Sequence, residues 1–380
     1  MLEGLPSVDW EAVHHAYGPA VDVPDDLRAL ISTDAFVRRG AIHRLYGSIF
    51  HQGTRWRASR LAVPFLIELA VNPEVPERVA IIKLIGHLAV GYHEAFLWAG
   101  LDPSSLQSGE DAYARGENEF EIDELDVYRA VCSHADALLA LCADDDPLVR
   151  HPAAYNLAFL PDIGERAVLA LVGRAAAEDG TLRANALIAV ALLCQSLGRS
   201  DPVGFDRYLD SPSPAVKFGA AVARARLEGP RADDAITVLI DALNSPPTDK
   251  LYWNAGDLVG FAATTLAVAQ GRFGDDLTAR LCSLLRNSHG PAAENLVVPI
   301  LQSLFPRGPQ DVPSSSSELT VAQRMVVETL AASPRSWTWD GVRFSNFSLT
   351  MVRWGLPRSA EDAARYLGGA PIEQLRPDHR

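Results

Sequence analysis

Three segments of this chain align with one another without gaps, and this repeated pattern constrains the fold more than any other feature. The copies read DDPLVRHPAAYNLAFL, EDGTLRANALIAVALL and PSPAVKFGAAVARARL, and they begin at Asp145, Glu178 and Pro212. In each copy a helix-capping residue precedes a Pro or Gly, an apolar and a basic residue follow, and Ala lies three residues further on. The basic positions Arg150, Arg183 and Lys217 are spaced as in stacked helix pairs.

Each position of the pattern has a physical role at the start of a helix. An Asp or Ser side chain accepts hydrogen bonds from backbone amides that lack a partner in the first turn. Pro is tolerated there because its missing N–H removes no helical hydrogen bond. The small Ala and a later Leu share one stripe, which faces a neighbouring helix. Amphipathic segments between the copies supply second helices, so the sequence predicts an all-α chain of paired helices.

Looser copies begin near Asp34, Glu74 and Asp257 and extend the array to about seven pairs. The pattern D/S-P/G-x-V/L-R/K-x2-A with a paired second helix resembles the HEAT-repeat family. This resemblance implies a right-handed superhelical solenoid of about seven HEAT-like helix pairs with atypical capping ends. We expect an N-terminal cap over 1–33, the array over 34–330 with an insertion at about 93–126, and an aromatic-rich C-terminal cap over 331–380.

The charge balance indicates the kind of partner. The formal net charge is -14, with 34 Lys and Arg against 48 Asp and Glu. Such a chain repels phosphate backbones, so a nucleic acid partner is disfavoured and a basic protein partner is favoured. The four cysteines form no CxxC pair, and no signal peptide or membrane-spanning run is found. We therefore expect a cytoplasmic protein with no membrane partner.

The insertion is strongly acidic. Between His93 and Asp126 a single basic residue, Arg115, stands against many carboxylates. It is interpreted either as a solvated loop or as an acidic arm that meets a cationic protein. The candidate residues of this segment are Glu110, Asp111, Glu117, Glu119, Glu121, Asp123 and Glu124.

Two further clusters are binding candidates. The segment HQGTRW contains His51, Arg55 and Trp56, and Tyr92 and His93 are added to it as candidates. This segment is either a turn, in which Gly53 ends one helix and Thr54 caps the next, or a recognition cluster with Arg55 as the anchor for a carboxylate or phosphate.

The second cluster is a Pro-rich loop whose tryptophan is either a binding anchor or a plug between repeats, and its candidates are Trp253, Asn254 and Asp257.

No motif for catalysis is present. The sequence has no HExxH, no zinc-ligand spacing, no GxSxG and no P-loop, so no metal or cofactor is predicted. The sequence favours a protein-binding scaffold, adaptor or inhibitor that engages a basic protein surface through an acidic concave face. The alternative is a HEAT-like enzyme or small-molecule-binding protein, either lyase-like or DNA-glycosylase-like.

Overall fold

The structure is a computed structural model that describes residues 1–108 and 122–375. These residues contain 17 α-helices and four strands of two residues each. The expected all-α class is therefore confirmed. Within the described residues, no helix is both long enough and apolar enough to span a bilayer.

The chain forms two compact units, Met1–Ala223 and Arg224–Arg380. Unit 1 begins with an antiparallel pair of strands, β1 (His14–His15) and β2 (Gly18–Pro19). Its helices are α1 (Val23–Ala29), α2 (Ala35–Ser48), α3 (Arg57–Val71), α4 (Arg78–Val90), α5 (Glu124–Ser133), α6 (Ala135–Cys142), α7 (Pro147–Leu157), α8 (Glu165–Ala177), α9 (Gly180–Ser196) and most of α10 (Pro214–Glu228).

Unit 2 continues the helical pattern and ends in a region with a second pair of antiparallel strands. These strands are β3 (Thr338–Trp339) and β4 (Val342–Arg343). The helices of unit 2 are α11 (Asp233–Ala242), α12 (Leu258–Gln270), α13 (Asp275–Asn287), α14 (Gly290–Leu304), α15 (Val321–Ala332), α16 (Ser345–Arg353) and α17 (Ala360–Leu367).

Helices in each unit pack in two layers. In unit 1, α2, α4, α7 and α9 contact one another in that order, while α3 contacts α5 and α6, and α6 contacts α8. In unit 2, α12 contacts α14, which contacts α16, and α13 contacts α15, which contacts α17. Contacts of α4 with α3, α7 with α6 and α9 with α8 join the two layers of unit 1. The apolar stripe that the sequence pattern gives each helix is buried between these layers.

Motif arginines connect the start of one first-layer helix to the next. Arg38 Nη1 donates to two carbonyls of its own turn, and its Nε donates to Glu77 Oε1 at 3.1 Å, just before α4. Arg150 repeats this arrangement, with Nη1 donating to two turn carbonyls and Nε donating to Glu178 Oε1 at 2.6 Å, just before α9. At these two positions the basic residue of the sequence pattern therefore binds its own turn and the following one.

Arg78 and Arg183 occupy the corresponding positions at the start of α4 and in the first turn of α9. Arg78 donates through Nε to the carbonyl of Ala70 at 2.7 Å, and its Nη2 donates to Asp144 in the turn before α7. Arg183 Nε donates to the carbonyl of Ala175 at 3.1 Å. Since Arg38, Arg78 and Arg150 each hold a helix start against the following turn, the turns before α2, α4, α7 and α9 lie side by side.

The predicted caps are confirmed at two of the three copies. Asp146 accepts a hydrogen bond from the amide of Leu148 at 2.8 Å, and Ser213 accepts one from Val216 at 3.4 Å. The prediction is wrong at Asp179, whose side chain makes no cap hydrogen bond. There α9 begins with Gly180 at a φ of +48°, a backbone conformation that glycine adopts without strain.

Candidate functional site

The segment HQGTRW forms the connection between α2 and α3. Gln52 and Gly53 both have positive φ, of +53° and +89°, and they turn the chain at the end of α2. The expected cap at Thr54 is wrong, because α3 begins at Arg57 with Trp56 as its N-cap residue. Ser59 holds this start in place: its Oγ accepts from the Trp56 amide at 2.8 Å and donates to a carbonyl at the end of α2.

Arg55 is buried within this turn and only partly paired. Its side chain is 3% exposed. Nη1 donates to the carbonyl of Gly53 at 2.6 Å and to Glu124 Oε1 at 2.8 Å. Nε and Nη2 are buried and have no hydrogen-bond partner among residues 1–108 and 122–375. Burial lowers the pKa of the Arg55 guanidinium, and the charge of Glu124 opposes that shift.

Two glycines allow the turn to pack against the chain that leaves α4. A Cβ on Gly91, which has a φ of +78°, would lie 2.7 Å from Nη1 of Arg55. A Cβ on Gly53 would lie 2.8 Å from the ring of Tyr92. Side chains at either position would separate the two segments. The glycines therefore bring the turn that contains Arg55 against the segment that contains Tyr92 and His93, a proximity that the spacing in sequence does not indicate.

His93 lies in an aromatic cage within unit 1. Its ring centroid is 5.0 Å from that of His87, 5.0 Å from Tyr155 and 4.8 Å from Phe159. The residue is 3% exposed, and within the described part of the chain Nε2 has no hydrogen-bond partner. Burial lowers the pKa of His93 well below its usual value, and His87 and Arg55 lower it further. The imidazole is therefore neutral at pH 7.

The remaining candidates of this group are His51, Trp56 and Tyr92. His51 Nδ1 is 3.2 Å from the hydroxyl of Tyr17 and 3.0 Å from the carbonyl of Gly47. Trp56 is buried, and its backbone pairs with Ile122. Tyr92 is 52% exposed. Arg55, Tyr92 and His93 are thus brought together, whereas Trp56 contributes to packing.

Two residues of the acidic insertion belong to this site. Asp123 is buried, its amide donates to the carbonyl of Arg55 at 3.0 Å, and its carboxylate is 3.8 Å from Arg60. Glu124 pairs with Arg55 and also accepts from the amide of Gln107 at 3.3 Å. Both carboxylates therefore lie in internal ion pairs. The other candidates of the insertion lie outside the described residues: Glu110, Asp111, Glu117, Glu119 and Glu121.

The second cluster is a packed turn in unit 2. Trp253 is fully buried and stacks on Phe261 with ring centroids 6.0 Å apart. Asn254 and Ala255 are both left-handed, with φ of +53° and +54°, which is strained for residues other than glycine. Asp257 caps α12 by accepting from Gly260 N at 2.9 Å. The tryptophan ring is therefore part of the core of unit 2.

A groove of about 400 Å³ lies beside this turn, lined by residues 246–252 and 255–259. Asp257 Oδ2 accepts from the side chain of Asn295 at 3.0 Å, so both of its oxygens have partners within unit 2. These hydrogen bonds of Asp257 therefore stabilise the conformation of the turn. The Arg55 cluster is the stronger candidate because two N–H groups of one buried guanidinium have no acceptor among residues 1–108 and 122–375.

Sequence reasoning missed His87, Tyr155 and Phe159. The six-residue spacing of His87 and His93 does not place them on one face of a helix. The chain instead leaves the helix at Gly91 and returns His93 towards the ring of His87. Tyr155 and Phe159 come from the end of α7, more than sixty residues later. A local pattern contains no signal for contacts over such a separation.

The chemistry of the site has to be inferred from its own residues. No protein-family model matches the chain, and no curated protein is significantly similar to it in sequence. The features that bear on function are the charge of the surface near the helix starts and the partners of Arg55 and His93.

Proposed function

We propose that this chain is a HEAT-like α-solenoid that binds a basic protein and acts as a scaffold, adaptor or inhibitor. The two-layered packing of helix pairs within each unit supports this architecture. The arginines that bind their own turn and the following one also support it, because they recur at the same motif position. A stack of such pairs offers an extended surface, which suits contact with another protein.

Negative charge is concentrated in unit 1. Residues 1–223 contain 18 Lys and Arg and 31 Asp and Glu, a net charge of -13. Residues 224–380 contain 16 Lys and Arg and 17 Asp and Glu, a net charge of -1. A field of one sign over one unit steers oppositely charged partners towards it. The binding surface is therefore assigned to unit 1.

The observation that carries the proposal is a row of exposed carboxylates, which we call the acidic edge. They lie on the turns before α2, α4, α7 and α9, which the arginine contacts hold side by side, and they are Asp34, Glu74, Asp145, Asp146 and Asp179. Phe36 and Leu148, which are 78% and 69% exposed, lie two residues after Asp34 and Asp146. Carboxylates beside exposed apolar side chains suit a basic protein that also presents apolar residues.

Nucleic acid is the partner that this surface disfavours most. Its phosphates would meet carboxylates at each successive turn, and the motif arginines there are already bound to carboxylates and carbonyls. A DNA-glycosylase-like role, which requires a basic groove, is therefore the weakest of the alternatives.

The test begins with the full chain as bait in native lysate at low and moderate salt, followed by identification and recombinant production of the retained protein. We expect a basic partner whose affinity falls as salt screens the charges. The variant Asp145→Asn/Asp179→Asn removes two carboxylates of the acidic edge without removing a cap hydrogen bond. It should weaken binding by roughly two- to thirtyfold, since each of the two exposed charges contributes about 0.2–1 kcal/mol.

The matched control is Asp241→Asn/Glu328→Gln, which changes the net charge equally at exposed positions of α11 and α15 in unit 2. It should leave the affinity close to that of the wild type. Equal weakening by both variants would contradict assignment of binding to the acidic edge. Recovery of nucleic acid in place of a basic protein would overturn the proposed function.

A further inference from the structure

The buried guanidinium of Arg55 presents one unused edge. Gly53 and Glu124 take up only Nη1, and Nε and Nη2 have no acceptor among residues 1–108 and 122–375. Buried donors without acceptors are costly, and native proteins rarely retain them. The Nε–Nη2 edge carries two parallel N–H groups, which is the geometry that binds the two oxygens of a carboxylate.

His93 supplies a third donor nearby. Its Nε2 is buried and has no acceptor in the described residues, and its segment packs against Arg55, since a Cβ on Gly91, two residues before His93, would lie 2.7 Å from Nη1 of Arg55. A neutral imidazole that is protonated on Nε2 can donate one hydrogen bond without adding a second positive charge. The rings of His87, Tyr155 and Phe159 surround it and provide an apolar setting.

The charge balance favours a ligand with a single negative charge. Glu124 lies 2.8 Å from Arg55 and already offsets its positive charge. A monoanion would leave the site with a net charge of about -1, whereas a doubly charged phosphate would leave about -2 in a region of low dielectric. A flat carboxylate also matches the two parallel N–H groups better than a tetrahedral phosphate does.

We propose that the Arg55–His93 site binds a monocarboxylate, with Nε and Nη2 of Arg55 donating to its two oxygens and Nε2 of His93 donating to one of them. The carboxylate belongs either to a small organic acid or to the C-terminus of a peptide. This site is separate from the acidic edge and does not depend on the proposed function.

The test titrates the full chain with acetate, propionate and benzoate at constant ionic strength, with inorganic phosphate and chloride for comparison. Thermal unfolding and calorimetry should show saturable binding of at least one carboxylate, about tenfold or more tighter than phosphate. Arg55→Lys retains the charge but loses the paired N–H groups, and it should weaken binding by at least about tenfold. Arg57→Lys, which changes an exposed arginine at the start of α3, is the control and should bind as the wild type does.

A second measurement on the wild type does not depend on whether the variants fold. Bound carboxylate should raise the pKa of His93, because a nearby negative charge favours the imidazolium, and NMR of the ring can follow this. A peptide with a free C-terminus, compared with its amidated form, separates the two sources of the carboxylate. The proposal is overturned if no carboxylate binds saturably, if the His93 signal does not respond, or if folded Arg55→Lys binds as tightly as the wild type.

Discussion

At the scale of single residues, unit 1 contains three histidines that are neutral because they are buried. Burial is the largest cause of the lowered pKa of His87, His93 and His151, and for His151 the value falls to about 4. An unfolded chain binds protons at these positions near pH 6.5, while the folded chain does not. Stability from these groups is therefore fully present above about pH 6.5 and is lost as the pH falls towards the folded pKa values.

We predict that the free energy of unfolding decreases between about pH 7 and pH 5, by up to about 1.4 kcal/mol per pH unit for each such histidine. Urea unfolding at several pH values measures this slope. His151→Gln should make the slope shallower, since one titrating group is removed. His43→Gln, at an exposed position of α2, should leave it unchanged. A profile that is flat, or equally steep in His151→Gln, would contradict this account.

At the scale of elements, the sequence predicts helices well and their long-range partners poorly. The cap at Asp146 and the burial of Ala153 can be predicted from local spacing, because the pattern marks both the start of the helix and the stripe of residues that faces inward. Helix α5 was not predicted, and its first three residues were assigned to the acidic insertion. Likewise, the sequence context offers Arg55 as an anchor in one of two interpretations, but its packing against the segment of His93 depends on two glycines that no helical period indicates.

A close backbone approach between α10 and α9 gives a prediction. A Cβ on Gly219 would lie 2.9 Å from the carbonyl oxygen of Ala184 and 3.0 Å from its Cα, and backbone atoms cannot move aside cheaply. Gly219→Ala should therefore lower the free energy of unfolding by about 1–3 kcal/mol. Gly173→Ala in α8 is the matched control, because a Cβ there meets no atom within 4 Å.

The control should be neutral or stabilise the protein by about 0.5–1 kcal/mol, since Ala favours a helix over Gly. Urea denaturation midpoints of the two variants and the wild type give this comparison. Two midpoints that shift in the same direction and by similar amounts would show that α9 and α10 do not approach as closely as described.

At the scale of the whole molecule, the two units share one helical pattern but differ in charge. Both units pack successive helices in two layers, yet almost all of the excess negative charge belongs to residues 1–223. Mutual repulsion among like charges opposes compaction, and this effect is larger where the net charge is larger. Unit 1 therefore retains an uncompensated repulsion among its negative charges, which a basic partner would relieve on binding. Unit 2 has little net charge, so a basic partner would relieve little repulsion there.

This difference predicts that salt stabilises the units unequally. Added sodium chloride screens exposed charges over about 10 Å at 0.1 M, so hydrogen exchange should slow in peptides from residues 1–223 more than in those from 224–375. Mass spectrometry of exchange resolves the two regions in one sample of the full chain. Sucrose is the control, because an excluded osmolyte should slow exchange in both regions regardless of charge. If sodium chloride slows both regions equally, as sucrose does, then charge repulsion in unit 1 is not a significant term in its stability.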